Sequence, residues 1–400
     1  MSGPVLVLNS GSSSLKYQLV EARTAEVLAS GTVERIGEPS GVITHKTQDG
    51  STSAERPFAD HGAALVAVDD QFAEHGPDLA AVGIVAVGHR VVHGGPDFSD
   101  PVIIDDAVLA EIRDLSPLAP LHNPAAVAGI EAAREQFPVP HVAVFDTAFF
   151  TGLPAEARTY AIPRELAEQN RIRRYGFHGT SHAYVSRTAA ETLGRDLAEL
   201  NQIVLHLGNG CSASAIRGGQ AVDTSMGLTP LQGLVMGTRS GDVDPGLHTF
   251  LHNELGMTIA DIDALLNKQS GLKGLSGVND FRELERLRSE GDEAAQLAID
   301  VYVHRLRHYL GAYAAILGRL DLVVFTAGVG ENNARLRAAV LADLPVLGIV
   351  VDPARNEASS REARIISGDE SSVTVMVVPT NEELAIARQA LALVAPDATG

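Results

Sequence analysis

The sequence predicts an α/β protein of two domains that share one plan. Short apolar runs, each ending at small or polar residues, alternate with segments of helical periodicity. A strand, a small-residue turn and a second strand at LNSGSSSLKY, residues 8–17, recur as HLGNGCSASAI at 206–216, roughly half a chain later. At 400 residues the chain is also too long for one compact core.

Residues 5–20, VLVLNSGSSSLKYQLV, predict a β-hairpin with a Gly and Ser turn over 10–14. Gly11, the serine hydroxyls and the neighbouring Lys16 offer donors to one point, which is how proteins hold phosphate. A plain hairpin with solvated serines is the other reading. Further strands are predicted at 27–33 and 42–46, then a helix over 59–74 and an apolar strand over 81–87 ending at Gly88, His89 and Arg90. Asn123 followed by Pro124 predicts an N-cap and a first-turn proline, opening a helix to about residue 136. A short buried strand over 142–145 then delivers Asp146 at its carboxyl end.

In the second half, Ser181 is predicted to cap a helix to about residue 193, and the apolar strand 203–207 opens into HLGNG. Helices follow at 258–266, 281–289 and 293–317. A buried strand over 320–325 ends in TAGVGENN. The last strand, 373–378, meets Pro379 and a helix opened by Thr380 and Glu383 at capping-box spacing.

A net charge of -19 argues against nucleic acid or an anionic membrane as partner, because both need a basic face. With Cys211 alone there is no internal disulfide, and no secretory leader or apolar run of about 20 residues is visible. A cytoplasmic protein is expected.

Most polar clusters fall just past the carboxyl ends of apolar strands, the edge at which α/β proteins bind ligands. HLGNG and AGVGEN put glycines where backbone amides can approach a ligand, although tight turns alone account for such loops. Neither a Walker A loop nor a GxGxxG dinucleotide fingerprint occurs. His89 and His93 have HxxxH spacing, but in strand context and without a glutamate, which disfavours zinc. His122 and His178 each precede a predicted helix start, where an anion is favoured. Arg90 and Arg239, in Gly-flanked loops, are candidates for bidentate anion clamps. Asp146 reads as a positioning or metal-linked carboxylate or as an Asx turn, and Glu382 as a ligand or a first-turn acid. A Ser181–His178–Asp146 hydrolase triad lacks the GxSxG elbow.

The strings NSGSSSLKY, GHRVVHGG, APLHNP, FDTAF, RYGFHGTSH, HLGNG, LTPLQG, MGTRSGDVDPG, TAGVGEN and PTNEEL, in this order, closely resemble the acetate kinase family over nearly the whole chain. The resemblance implies a two-domain actin-like, ribonuclease H-like fold with a duplicated βββαβαβα core and a cleft between domains. Residues 1–148 plus 384–400 would form the amino-terminal domain, including the last helix, and 149–383 the nucleotide-binding domain. It also implies reversible, magnesium-dependent transfer of the ATP γ-phosphoryl group to acetate, with manganese able to replace magnesium, in a homodimer. A kinase preferring propionate or butyrate, or an actin-like nucleotide-binding protein without turnover, are the alternatives.

By motif position, Asn9 and Glu382 would lie at the metal, and Lys16, Ser12 and Ser14 near the phosphates. His206, Leu207, Gly208, Asn209 and Gly210 would cradle phosphate. Asp280, Phe281 and Arg282, with Gly328, Val329, Gly330, Glu331 and Asn332, would hold the nucleoside. Arg90 would bind the acetate carboxylate, with Val92, Leu121, Phe177 and Pro230 around its methyl group. His178 and Arg239 would stabilise the transferring phosphoryl group, Asp146 would be the catalytic carboxylate, and His122 would lie beside the site. Phe150, where the family usually has His, and Gln232, where Glu is common, depart from the pattern.

Overall fold

The computed structural model describes residues 3–395. The chain divides into two compact units, Met1–Thr151 with Asn381–Gly400, and Gly152–Thr380. The boundaries expected from sequence, at 148 and 384, differ slightly, so Asn381, Glu382 and Glu383 group with the first unit. Residues 396–400 of the expected first domain lie outside the described residues.

In the first unit, β1 (Val5–Ser10) and β2 (Ser14–Glu21) form the predicted hairpin, and β3 (Glu26–Glu34), β4 (Gly41–Thr47) and β5 (Gly50–Arg56) continue the antiparallel meander. Sequence reasoning missed β5 because its side chains are almost all exposed, so no apolar alternation marks it. Then come β6 (Ala86–Val91), the two-residue β7 (Val102–Ile103) and β8 (His141–Phe145), giving the sheet order β5-β4-β3-β2-β1-β6-β8-β7. Leucines 6, 8, 15 and 19 of the hairpin bury against Leu65, Val68 and Phe72 of helix His61–His75. Asp60 caps that helix, accepting from the Ala63 N–H.

The strand predicted at 81–87 is displaced. Asp78 caps a short helix, Leu79–Val82, which Gly83 ends in the left-handed region at φ 65°. Pairing with β1, from Val5↔Ala86 to Leu8↔His89, then sets the register of β6. Gly88, His89 and Arg90 are therefore strand residues rather than loop. A Cβ on Gly88 would stand 2.7 Å from Ile386 Cγ2, so only glycine lets helix Glu382–Val394 pack this closely on the sheet.

The second unit contains β9 (Asn201–Leu207), β10 (Cys211–Arg217), β11 (Gln220–Thr224), β12 (Leu322–Thr326), β13 (Arg364–Ile365) and β14 (Thr374–Val377), in the order β11-β10-β9-β12-β14-β13. Its first strand is flanked by an antiparallel meander on one side and two parallel strands on the other, as β1 is in the first unit. The predicted duplication is thus present in the topology. Helix Gly179–Leu193 packs on β9 and β12, and helix Glu293–Leu317 on β10 and β9. No helix among the described residues is long and apolar enough to cross a membrane.

Candidate active site

In the first unit, the carboxyl ends of β6 and β8 bring Arg90 and Asp146 together. Arg90 donates from Nε to Asp146 Oδ1 at 2.9 Å and from Nη2 to Oδ2 at 2.6 Å, and Glu382 Oε2 lies 3.9 Å from Arg90 Nε. Asp146 is 1% exposed. Burial acts to lower the Arg90 pKa, but the Asp146 and Glu382 carboxylates outweigh it and raise the pKa above its ordinary value. Burial, aided by Asp146 and Glu383 and opposed by Arg90 and Lys16, pushes the Glu382 carboxyl up to about 7.

Asn9, next to last in β1, pairs with Lys16 on β2, and both line a cavity of about 360 Å³ with Glu383. Ser12 is exposed in the turn between those strands, and Ser14 begins β2. The His61 ring bonds the Gly11 carbonyl at 2.8 Å. Val92 is half-buried and Leu121 exposed, while His122 precedes helix Asn123–Gln136 without a side-chain cap bond. Asn123, predicted as the cap, is instead the first helical residue. Its buried amide accepts from the His93 N–H at 3.2 Å and donates to the His93 carbonyl at 3.0 Å, clamping the loop after β6.

In the second unit a histidine and serine cluster stands beside HLGNG. His178 precedes helix Gly179–Leu193 in the left-handed region, φ 59°, a strained conformation for a non-glycine residue. Its ring stacks on His206 at 4.2 Å between centroids, and its Nδ1 lies 2.9 Å from Ser212 Oγ. A Cβ built on Gly210 would stand 3.0 Å from Arg239 Nη2 and 3.4 Å from His178 Cε1, so both side chains converge on that glycine. Arg239 also donates from Nη1 to the Pro230 carbonyl at 2.6 Å. Ser181, predicted as a helix cap, lies inside the first turn, where its hydroxyl contacts His206 Nδ1 and Thr380 Oγ1, each at 2.8 Å. Phe177 is fully buried and Pro230 half-buried.

A separate cavity of about 700 Å³ is lined by Gly208, Asn209, Asp280, Phe281, Arg282, Gly328, Val329 and Asn332, together with Asn279, Glu285 and Asn333, which sequence reasoning did not single out. Its volume suits a small organic ligand. Asp280 caps helix Phe281–Ser289 and pairs with Arg282 at 2.7 Å, which holds its carboxyl at about 2. Leu207, Gly210, Gly330 and Glu331 do not line this cavity. Leu207 is buried, and Glu331 accepts from the Thr380 N–H at 3.1 Å. Behind Gly330 and Glu331 sits Arg337, 1% exposed, donating to both carbonyls and to Asn356 Oδ1 and O over 2.6–2.9 Å. A guanidinium at those carbonyls complements the carboxyl end of the short helix Ala327–Asn332.

The competing chemistries lose ground on contacts. His89 Nε2 pairs with His141 Nδ1 at 2.9 Å, while His93 Nδ1 accepts from the Gly95 N–H, so the HxxxH pair does not share a ligand. Ser181 and Asp146 are engaged by His206 and Arg90 rather than by a common histidine. The departures also have partners: Gln232 accepts from Tyr160 at 2.8 Å, and Phe150 is fully buried against Phe149. Ser212, His182 and Ser214 were missed, although His178 and His182 are one helical turn apart and Ser212 and Ser214 alternate along β10.

The first unit's oxygen donors, Asn9, Glu382 and Asp146, are those a hard cation takes. Among the described residues no three His, Cys, Asp or Glu side chains form a metal cage. Carboxylate and amide oxygens are the donor type that suits a hard cation such as magnesium, which keeps several waters and takes one or two carboxylates plus substrate phosphates.

Residues 4–388 match the model of the Acetokinase family. An acetate kinase of Clavibacter michiganensis subsp. michiganensis is 61% identical over 394 residues, covering 98% of this chain and 99% of that protein. The crystal structure of Porphyromonas gingivalis acetate kinase superposes with a TM-score of 0.94 at 44% identity, covering 98% of this chain and 100% of that one. A propionate kinase from Francisella tularensis subsp. tularensis gives 0.91 at 43%, covering 97% and 99%.

Proposed function

Because the chain belongs to the acetokinase family, we propose that it transfers the γ-phosphoryl group of ATP reversibly to acetate, giving acetyl phosphate and ADP. An acetate oxygen forms the new bond to phosphorus as the bond from phosphorus to the ADP oxygen breaks, in line. Acetate is already ionised at neutral pH, so no base is required.

The observation that carries this reading is the bidentate Arg90–Asp146 pair with Glu382 beside it. A carboxylate approaching a polyphosphate meets repulsion of about 4 kcal/mol per pair of unit charges at 4 Å and an effective dielectric near 20. Asp146 occupies the Nε and one Nη2 hydrogen of Arg90, which leaves the Nη1–Nη2 edge to take a second carboxylate, that of acetate. Asp146 thereby acts as the carboxylate that orients Arg90, with His122 beside the acetate, and Val92, Leu121, Phe177 and Pro230 limit the acyl chain.

The second unit takes the nucleotide. The cavity at Asp280–Arg282 and Gly328–Asn332 receives the nucleoside and HLGNG the phosphates, while Lys16, Ser12 and Ser14 are the first unit's own candidates for phosphate contact. His178 and Arg239, meeting at Gly210, stabilise the charge on the transferring phosphoryl group. Asn9 and Glu382 would hold magnesium, or manganese in its place, which supplies neutralising charge on the phosphates. Catalysis is then alignment and charge stabilisation. A homodimer and a cytoplasmic location complete the proposal, the former checked by sedimentation equilibrium.

The propionate kinase among the structural relatives favours one second reading, a longer acyl chain. A methylene is worth only about 1–3 kcal/mol of discrimination. Trapping acyl phosphates as hydroxamates with formate, acetate, propionate and butyrate decides between them. The highest kcat/KM is expected for acetate; a higher value for propionate or butyrate overturns the substrate, and no carboxylate-dependent ADP release overturns the reaction.

A further inference from the structure

Behind His178 runs a buried chain of polar groups that the transfer itself does not use. Ser214 Oγ lies 2.7 Å from His182 Nδ1, His182 Nε2 lies 2.7 Å from Ser212 Oγ, and Ser212 Oγ lies 2.9 Å from His178 Nδ1. Ser212, Ser214 and His182 are fully buried. The positions follow from local geometry: His182 stands one helical turn after His178, and Ser212 and Ser214 share a face of β10.

The direction of this chain can be derived by following each hydrogen. Burial first, with nearby His206 adding to it, holds the His182 pKa well below its ordinary value, so its ring is neutral and has one donor and one acceptor nitrogen. Among the described residues Ser214 makes its side-chain hydrogen bond to His182 alone. If His182 donated to Ser214, the Ser214 hydroxyl hydrogen would be buried without an acceptor among the described residues, at a cost of about 1–3 kcal/mol. The opposite direction uses every hydrogen. Ser214 O–H donates to His182 Nδ1, His182 Nε2–H donates to Ser212 Oγ, and Ser212 O–H donates to His178 Nδ1. His178 then carries its own hydrogen on Nε2, the nitrogen 3.5 Å from where a Gly210 Cβ would stand, beside Arg239 Nη2.

We propose that Ser212, His182 and Ser214 are positioning residues that lock His178 in the tautomer presenting Nε2–H to the transferring phosphoryl group. This rests on the reading that His178 serves that group, and adds to it the state in which His178 must be held. The left-handed backbone and the His206 stack fix where the ring lies; the hydroxyl relay decides which nitrogen donates. In the reverse tautomer, neutral His178 would turn a lone pair toward phosphoryl oxygens and repel them.

The test reads the tautomer directly, by long-range 1H–15N correlation on the full-length protein labelled with 15N-histidine near neutral pH, with His178 assigned by difference from His178→Ala. An Nε2–H pattern in the wild type, lost to a tautomer mixture in Ser212→Ala, supports the relay. An Nδ1–H pattern in the wild type overturns it. Ser212→Ala is expected to lower kcat about tenfold with little change in nucleotide KM, Ser212→Thr to restore it, and Ser212→Ala to cost nothing further in a His178→Ala background. A Ser212→Ala enzyme with wild-type kcat and an unaltered tautomer also overturns the proposal, as does a loss of thermal stability without a tautomer change. Where Ser212→Ala does not fold, Ser214→Ala and the wild-type pattern carry the same decision. Should His178→Ala retain full kcat, the role of His178 at the phosphoryl group falls, while the tautomer pattern still decides the relay.

Discussion

Arg90 and Asp146, 56 positions apart in sequence, share two hydrogen bonds of 2.9 and 2.6 Å in which Asp146 is buried and Arg90 half-buried. Both oxygens of Asp146 face N–H groups. Asp146→Asn would turn an amide N–H₂ toward the guanidinium, losing one bond and leaving Arg90 with one carboxylate fewer. The expected outcome is a fall in kcat of about a hundredfold, in the range of losing a preorganised charge contact. Arg90→Ala should chiefly raise the acetate KM. Steady-state kinetics on both substrates checks this, and an unchanged kcat for Asp146→Asn refutes the assigned role.

Gly210 is where His178 and Arg239 meet, and a Cβ there would stand 3.0 Å from Arg239 Nη2. Gly210→Ala should displace the flexible Arg239 guanidinium and crowd the His178 ring without disturbing the backbone. Its kcat should fall by at least about tenfold, with the melting temperature nearly unchanged. A Gly210→Ala enzyme with wild-type turnover would remove the convergence argument.

Glu382 titrates at about 7 in the folded protein, above the ordinary 4.5, chiefly because it is buried. Below 4.5 the group is protonated whether folded or unfolded. Between 4.5 and 7 only the folded state keeps the proton, so this group's contribution to stability falls as pH rises through that window. If Glu382 holds the metal, as proposed, metal binding needs its carboxylate and runs the other way. The apparent affinity for magnesium should rise up to about tenfold per pH unit below 7 and then level off. Calorimetry in buffers of different ionisation enthalpy should detect proton release on binding at pH near 6, and Glu382→Gln should abolish it.

Among the described residues Arg337 donates only to carbonyl and amide oxygens, two of them at the end of the segment that lines the cavity proposed for the nucleoside. Lysine cannot span those acceptors with one ammonium group. Arg337→Lys should raise the nucleotide KM severalfold, leave the acetate KM unaltered, and cost about 2–3 kcal/mol of stability. Equal shifts in both KM values would place its influence elsewhere.

The sequence by itself determined which residue types stand at the strand ends, that one plan occurs twice, and where helices such as Glu293–Leu317 run, because periodicity and caps are local signals. Residues whose partners are distant were misread. Asn123 and Ser181 have the composition of caps, but Asn123 spends its amide on His93 and Ser181 its hydroxyl on His206 and Thr380. Likewise Thr380 and Glu383 have capping-box spacing, while Asn381 makes the cap, accepting from the Leu384 N–H. The start of β6 was set by pairing with β1, and exposed β5 left no apolar trace. Only the tertiary fold sets that Arg90 meets Asp146, that Arg337 reaches the Gly330 and Glu331 carbonyls, and that Ser212 lies between His178 and His182. A buried polar group takes whichever donor or acceptor the fold brings within about 3 Å, and no local pattern encodes a partner separated by tens of residues.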